Sequence, residues 1–401
     1  MGMGAVAVLG GGLMGTSIAY QLALHGWKVR VYEQGSPISA ASAKAGGFLA
    51  ARWGDGGVTE RLHRVSFEMH EELAERLQLQ SYRKLPVYRI PSSHASSPPG
   101  KIESGEATAQ VDPRELGEAL LRASEEMGVE FIRECEVRGI DTSPHAKGGR
   151  QVRGVRIAGG SDGDEEFVEC STVVVALGPW SCLLEDWLGV PMPMEGVWST
   201  SLVWNPQPAL SAPRPPGAVF CEEDANGCSL EIYPRPNGEL YVCGCGQSRM
   251  VGTQALRAGQ LPPSVANQPD PTRVAAAHRS LASLGTEWSV MRHSDVQQAC
   301  MRPCTPDGLP VMGAIQGVAG AYVAAGHNCW GILWAPVTGL AMAELITHGS
   351  ASVVNLRPFS PRRFDTLVYR TLMAQRARER PQEEIKDTAD TQWISRMPEG
   401  L

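Results

Sequence analysis

The clearest regular pattern of hydrophobic and polar positions lies at the start of the chain. Residues 5–10, AVAVLG, are a short apolar run that suits a strand buried on both faces of a parallel sheet. Residues 13–26, LMGTSIAYQLALHG, have apolar positions at helical spacing and end in glycine. Residues 27–33, WKVRVYE, then predict a second strand. Together they predict one compact β–α–β unit.

Similar patterns continue further along the chain. Residues 112–140 predict a capped helix that runs into a strand, and residues 171–181, STVVVALGPWS, predict a buried strand that ends in a glycine. Residues 159–166, GGSDGDEE, predict a solvated acidic turn without a function of its own. From about residue 194 to 298 short strands dominate, and a Pro-Asn-Gly sequence marks a hairpin. The apolar βα pattern returns after residue 299.

These patterns predict an α/β fold in which a mostly antiparallel β domain is inserted into a Rossmann-like domain. The last forty residues are highly charged and predict a surface helix or a loose tail. We assign the Rossmann-like domain to residues 1–85, 110–193 and 299–365, the inserted domain to 86–109 and 194–298, and the charged tail to 366–401.

Composition narrows the class of partner. The 401 residues are 43% hydrophobic and 20% charged, with a net charge of −7. An acidic chain gives no electrostatic reason to expect nucleic acid or an anionic membrane. No segment looks long and apolar enough to cross a bilayer, and the N-terminus does not resemble a signal peptide. We therefore expect a cytoplasmic protein whose ten cysteines are thiols, and their spacings predict no metal site.

The first predicted turn carries a dinucleotide-binding pattern. Gly10, Gly12 and Gly15 are spaced as GxGxxG and are followed by Glu33, eighteen residues after the last glycine. The first glycine permits the tight turn, the second lets the backbone approach a pyrophosphate, and the third lets helix and strand pack closely. The helix start attracts phosphates, and an acid at the end of the second strand can bind a ribose. This pattern alone leaves both NAD and FAD open.

Three further segments resemble the D-amino acid oxidase family of flavoenzymes, which includes glycine oxidase, sarcosine oxidase and D-amino acid dehydrogenase. Residues 39–53, SAASAKAGGFLAARW, resemble its serine- and glycine-rich loop, and ALGPW (176–180) resembles its second FAD contact. Residues 301–313 and 324–346 resemble its C-terminal signature, RPxTPDGxPxxG and then GHxxxGxxxAPxxG. FSPRRF (359–364) resembles its closing motif. The nearest likeness is to poorly characterised eukaryotic members.

This resemblance implies that FAD lies extended through the Rossmann-like domain. The glycine turn would hold the pyrophosphate, Glu33 the adenosine ribose, and the backbone of Val137 the adenine. The loop at 42–47 would line the ribityl chain and the ring, and the turn at 326–332 would place a helix start at the pyrimidine end of the ring. The full set of expected FAD-binding residues is Gly10, Gly11, Gly12, Leu13, Met14, Gly15, Glu33, Gln34, Ser42, Lys44, Ala45, Gly46, Gly47, Val137, Gly178, Trp180, Cys300, Gly326, His327, Asn328, Cys329, Trp330, Gly331 and Ile332.

The resemblance also implies a reaction, the oxidation of a C–N bond by hydride transfer to flavin N5. Arg302 matches the arginine with which amino-acid-oxidising members hold a substrate carboxylate, a task for which a guanidinium fork is suited. His327 is expected beside the flavin, as a packing or hydrogen-bonding residue rather than a base. Arg52 and Trp53 follow the Gly-Gly loop, and a place near the ring and ordinary packing are equally open. The expected partners are a small amine or amino acid and oxygen or another electron acceptor.

Cys300 leaves two states of the cofactor open. In the sarcosine oxidase branch a cysteine at this position forms a thioether to FAD, but that branch lacks the arginine found here at 302. A buried thiol packed under non-covalent FAD is our expectation, and the thioether is the alternative. Two other functions also stay open: an NAD-dependent dehydrogenase, and a flavin-binding protein with a structural or trafficking role and little redox activity.

Overall fold

The computed structural model describes the chain except for its two ends and several internal segments. The predicted charged tail at 366–401 lies outside the described residues. The residues that are described are 5–91, 100–159, 165–206, 217–260, 266–285 and 293–365.

The strands are numbered β1–β21 in chain order. They are Ala5–Leu9, Lys28–Tyr32, Phe48–Ala50, Arg83–Lys84, Val87–Ile90, Gly100–Glu103, Thr108–Gln110, Glu130–Ile132, Cys135–Pro144, Arg150–Gly159, Glu165–Glu169, Thr172–Val175, Glu195–Trp204, Ala218–Cys221, Glu231–Pro234, Leu240–Cys243, Arg249–Val251, Val296–Cys304, Val311–Ala314, Val318–Ala319 and Ala321–Ala325.

The helices are numbered α1–α8. They are Leu13–Leu24, Ala41–Lys44, Glu60–Leu77, Pro113–Glu126, Leu184–Leu188, Thr253–Arg257, Pro271–Ser283 and Gly331–His348. Short 3₁₀ helices span Gly178–Leu183, Asn328–Trp330, Arg357–Phe359 and Pro361–Phe364.

A six-stranded sheet forms the centre of the Rossmann-like part, in the order β19–β21–β12–β1–β2–β8. Its neighbours pair in parallel, except that β19 runs antiparallel to β21. The predicted β–α–β unit is confirmed as β1, α1 and β2. The predicted helix cap is confirmed as well, since the Asp112 side chain accepts from the backbone N–H of Arg114 at 2.8 Å.

The second large sheet has eight strands in the order β17–β13–β16–β15–β14–β5–β6, and β18 also pairs with β13. All its pairs are antiparallel except that of β14 with β5. The hairpin predicted at Pro-Asn-Gly is formed by β15 and β16, which pair antiparallel. Strand β18 crosses the domain boundary predicted at residue 299 and stays paired with β13 up to Cys304. The expected combination of a parallel sheet and an antiparallel one is confirmed.

The eight-stranded sheet has two different faces, because successive side chains on a strand point to opposite sides. One face carries apolar residues that are almost fully buried, including Leu202, Ile232 and Val242, and these join a core cluster with residues of α7. The other face carries Ser199, Glu231 and further polar and aromatic residues that line a cavity. One face of the sheet therefore packs in the core, and the other face forms a wall of the cavity.

The sequence analysis expected no segment long and apolar enough to cross a bilayer, but the described residues contain one that meets both conditions. Residues 328–348, which include α8, meet both conditions by length and composition, and 61% of their most apolar window is buried inside the fold. Trp334 and Met342, for example, are buried in the core cluster that also contains residues of α1 and α3. A helix that is apolar on all sides because it is surrounded by protein produces this composition.

Candidate active site

A cavity of about 1160 Å³ lies between the glycine turn after β1 and the polar face of the eight-stranded sheet. Cavities for drug-sized ligands are usually about 300–1,000 Å³, so this one has room for a large ligand. All predicted cofactor residues line it except Gly11, Gly15, Lys44 and Gly326. Arg302 and His327 also line the cavity, although they lie almost 300 residues or more after the glycine turn in the sequence.

The glycine turn adopts a shape that only glycine allows. Gly10 has φ +104°, and a Cβ atom there would lie 2.5 Å from the carbonyl oxygen of Ala176. A Cβ atom on Gly15 would lie 1.9 Å from the carbonyl oxygen of Gly10. Gly12 is the N-cap of α1 and provides no side chain to fill the space before the helix. The arrangement leaves a helix start open toward the cavity, which suits a phosphate.

Glu33, which was predicted to bind the ribose, also accepts hydrogen bonds from the backbone. Its Oε2 atom accepts from the Gly11 N–H at 2.8 Å, and its Oε1 atom accepts from the Gly35 N–H at 2.9 Å. The carboxylate also lines the cavity. It therefore fixes the glycine turn while presenting an acceptor to a ligand.

The loop at 41–47 lies between the glycine turn and the β15–β16 hairpin. The Ser42 hydroxyl accepts from the Leu13 N–H at 2.8 Å, and the Tyr241 hydroxyl donates to the Lys44 carbonyl at 2.8 Å. A Cβ atom on Gly46 would lie 2.5 Å from the ring of Tyr233. The loop can therefore follow this path only if residue 46 is glycine.

Lys44 does not extend into the cavity, although it was predicted to bind the cofactor. Its Nζ atom donates to Asn267 Oδ1 at 2.7 Å and to the Ala299 carbonyl at 3.0 Å. Burial lowers the pKa of Lys44, and the neighbouring Cys300 opposes this effect. In this arrangement the lysine ties the loop to β18.

The turn at 326–332 brings His327 to the cavity in a neutral form. The ring is 2% exposed, its Nε2 atom lies 3.1 Å from the Thr338 hydroxyl, and its Nδ1 atom is buried without a hydrogen-bond partner among the described residues. Burial lowers the pKa of His327 from 6.5 to about 3. The residue therefore lines the cavity with a neutral, buried ring, and its hydrogen-bonding role toward a flavin stays a prediction.

Asn328 and Ser199 both help to hold the Arg302 side chain in place. Its Nη1 atom donates to Asn328 Oδ1 at 2.6 Å, and its Nε and Nη2 atoms lie 3.3 and 3.1 Å from the Ser199 hydroxyl. The side chain is half-buried and lines the cavity. A guanidinium fixed in this way can bind a carboxylate with little further ordering.

Cys300 lines the same part of the cavity and is 9% exposed. Burial raises the pKa of its thiol, while the charges of Arg302 and Lys44 lower it in part. Burial is the largest effect, so the thiol form is favoured over the thiolate.

The sequence analysis did not identify most of the aromatic and polar residues that line the cavity beside the β15–β16 hairpin. Of these it named only Trp53, for which a place near the flavin ring and ordinary packing were equally open. It lies in an aromatic cluster with Phe48 and Phe220, whose ring centroids are 5.1 and 5.3 Å from its own. Glu231 and Tyr233 line the cavity beside them. The alternation of residues in CSLEIYPRPNGELYVCGCG could have identified them. Positions 229, 231 and 233 alternate with apolar positions, and all three line the cavity.

The described residues fit FAD on three structural grounds. Gly10 and Gly15 allow the tight turn and Gly12 leaves the start of α1 open to the cavity, Glu33 lines the cavity from the end of β2, and the cavity extends from this turn to Arg302. Helix α8 also begins at the cavity wall, with Gly331 among the lining residues. A helix start stabilises negative charge, which reduced flavin carries.

The relatives found by comparison with known proteins include oxidoreductases that match this chain over most of its length. A protein of Schizosaccharomyces pombe that is named an oxidoreductase, without a stated substrate, is 26% identical over 89% of this chain and 97% of its own. The glycine oxidase of Geobacillus kaustophilus is 27% identical over 88% of this chain and 96% of its own.

Solved structures show the same fold. Glycine oxidase from Geobacillus kaustophilus superposes with a TM-score of 0.70 and 22% identity, covering 89% of this chain and 98% of its own. L-Amino acid deaminase from Proteus myxofaciens, solved in complex with anthranilate, gives 0.71 and 19%, covering 91% and 94%. The DAO family, described as FAD dependent oxidoreductases, matches residues 5–99 and 96–345, which decides between the two dinucleotides in favour of FAD. The chain belongs to this family of FAD-dependent oxidoreductases.

Proposed function

We propose that the protein oxidises the C–N bond of an amino acid or secondary amine by hydride transfer to bound FAD. Arg302 is the observation that carries this proposal, because its guanidinium faces the cavity while Ser199 and Asn328 fix its orientation. A carboxylate bound there by two parallel hydrogen bonds would have both its position and its plane defined. Two relatives are named glycine oxidase and L-amino acid deaminase, and these names support a substrate that carries both an amine and a carboxylate.

FAD supplies the electron-accepting chemistry when it is bound. The protein then has to orient the substrate and keep water away from the reacting carbon. Arg302 orients the carboxylate, and the wall formed by Phe48, Trp53 and Phe220 excludes water. His327 adds no charge to the cavity wall at physiological pH, because burial lowers its pKa to about 3.

We further propose that FAD is held without a covalent bond. A thioether requires a reactive sulfur, and burial favours the protonated thiol at Cys300. Oxygen or another electron carrier would then reoxidise the flavin.

An anaerobic flavin-reduction screen tests the proposal. The purified yellow protein is mixed without oxygen with D- and L-amino acids and with N-methylated amino acids, and the flavin absorbance is followed. Bleaching by a carboxylated amine, together with release of the oxidised product, is the expected result. Dithionite serves as a positive control for a reducible flavin. If dithionite bleaches the protein and no amine does, the protein is a flavin-binding protein with little redox activity instead.

A further inference from the structure

Five aromatic side chains that line the cavity also contact one another, and we call this set the aromatic wall. They come from β3 and the loop after it, from β14 and β15, and from the 3₁₀ helix before α8. Neighbouring ring centroids are 5.1 to 6.1 Å apart. The members are Phe48, Trp53, Phe220, Tyr233 and Trp330. Ring faces and edges at such distances suit a further aromatic ring as a ligand.

The one phenolic hydroxyl in the aromatic wall already has a partner within the protein. The Tyr233 hydroxyl donates to Glu231 Oε2, which also accepts from the Cys243 thiol at 3.5 Å. Burial is the main cause that raises the pKa of Tyr233 well above its ordinary value, so the hydroxyl keeps its proton. Tyr233 therefore contributes an uncharged, hydrogen-bonded ring to the wall.

The aromatic wall begins beside the residue that binds Arg302. Asn328 accepts from Arg302 Nη1 at 2.6 Å, and Trp330 follows two residues later in the same 3₁₀ helix. Two residues of such a helix advance by about 4 Å along its axis. The ring of Trp330 is 6.1 Å from that of Trp53, through which the wall reaches β14. The expected carboxylate site and the aromatic wall are therefore neighbours in the cavity.

The aromatic wall also borders the loop that is expected to line the flavin ring. A Cβ atom on Gly46 of this loop would lie 2.5 Å from the ring of Tyr233. Phe220 and Tyr233 belong to the eight-stranded sheet, whereas the glycine turn follows β1 of the six-stranded sheet. The two rings therefore line the cavity from the side opposite the expected pyrophosphate site.

We propose that the aromatic wall binds the side chain of the substrate, so that the preferred substrates are amino acids with an aromatic side chain. This inference rests on the proposed function for the reaction, and on Arg302 as the carboxylate site. An aromatic amino acid has its ring three bonds from its carboxylate carbon, which suits two neighbouring binding groups. Binding of both groups would fix the α-carbon between them, as hydride transfer requires.

The test uses three carboxylates that lack an amine and so cannot undergo the proposed reaction. Calorimetry measures the Kd of 3-phenylpropionate, 3-cyclohexylpropionate and propionate on the FAD-loaded wild-type protein. 3-Phenylpropionate should bind at least about tenfold more tightly than propionate, because its ring is removed from water. It should bind about two- to twelvefold more tightly than the cyclohexyl probe, since only a π system forms aromatic pairs. Apolar area alone would favour the cyclohexyl probe.

Trp53 is the position to vary, because it is half-buried and contacts three other rings of the wall. Trp53→Leu keeps an apolar side chain and should reduce the preference for the phenyl over the cyclohexyl probe, whereas Trp53→Phe should keep that preference. Trp187→Leu is the matched control. Trp187 is also half-buried and lines the cavity, but it packs against a different core cluster, so this variant should bind the probes as the wild type does.

A wild-type protein that does not prefer 3-phenylpropionate over both other probes would overturn the inference, and this comparison needs no variant. An unchanged preference in Trp53→Leu would overturn it as well. Loss of FAD from Trp53→Leu and not from Trp187→Leu would assign the wall to the cofactor and have the same consequence. Because no probe is a substrate, these results are separate from the flavin-reduction screen. Oxidation of aliphatic amino acids without a preference for the phenyl probe would keep the proposed function and reject only the role of the wall.

Discussion

Arg302 and Asn328, which both line the cavity, are joined by a hydrogen bond of 2.6 Å from Nη1 to Oδ1. The two residues belong to different parts of the fold, because Arg302 lies on β18 of the eight-stranded sheet and Asn328 lies in the turn before α8. Asn328 has φ +47°, in the left-handed region that asparagine tolerates better than most residues. The bond therefore connects the expected substrate-binding group to the turn expected at the flavin.

Replacing Arg302 by lysine should weaken the use of carboxylated substrates and leave FAD binding unchanged. Lysine keeps the positive charge but loses the planar fork and its contacts with Ser199 and Asn328. Loss of a charge-assisted contact costs about 1.5–3 kcal/mol, which corresponds to a fall in kcat/KM of about tenfold or more. Kinetics on the best amino acid, beside the flavin spectrum, measure both effects. Wild-type kinetics in the variant would make Arg302 a structural residue.

Replacing Gly12 by glutamate should abolish FAD binding. Gly12 is the N-cap of α1, and a carboxylate there would occupy and repel the position of the pyrophosphate. Gly252→Glu is a matched control, since Gly252 is also a helix N-cap and has open space where its Cβ atom would lie. The flavin content of the purified proteins decides the matter. A variant of Gly12 that retains one flavin per chain would contradict the assigned pyrophosphate site.

Local patterns in the sequence were sufficient for the parts of the site that depend on the backbone. The GxGxxG spacing predicts the turn because glycine is required at positions where a Cβ atom would collide, as at Gly15. The same holds for the hairpin at Pro-Asn-Gly. These features involve neighbours in the chain, so a short sequence contains their physical cause.

Features that depend on distant contacts were harder to predict. Lys44 lies within a loop that lines the cavity, but its side chain turns to Asn267 and Ala299, which follow more than 200 residues later. The pairing of Glu231 with Phe220 and of Cys300 with Ser199 is set by strand register. Register depends on how separate strands assemble, and the alternation within one strand does not specify it.

Flavin should be released from the protein by acid. Burial keeps Cys300 in its thiol form, so no thioether is expected. After precipitation with trichloroacetic acid, the yellow colour should stay in the supernatant and the pellet should be colourless. Cys300→Ala should bind FAD and release it in the same way. Flavin that remains in the wild-type pellet and is absent from that of Cys300→Ala would show a covalent bond and reject the non-covalent proposal.

Acid should destabilise the fold partly through two buried histidines. Burial lowers the pKa of His70 from 6.5 to about 4 and that of His327 to about 3. Below pH 6.5 the unfolded chain therefore binds protons that the folded chain does not, so the free energy of unfolding falls as the pH is lowered. Each group contributes a slope of about 1.4 kcal/mol per pH unit between about pH 6.5 and its folded pKa.

His70→Gln isolates one of these two contributions. The Nε2 atom of His70 lies 3.0 Å from the Ile332 carbonyl, at the start of α8, and a glutamine amide offers a donor to the same carbonyl without a titrating group. Between pH 6.5 and 5 the variant should lose about 1.6 kcal/mol less stability than the wild type. Urea unfolding of the FAD-loaded proteins at several pH values measures this difference. Identical pH dependence in both proteins would mean that His70 titrates in the folded state as it does in the unfolded chain, and its burial would then not be the source of acid lability.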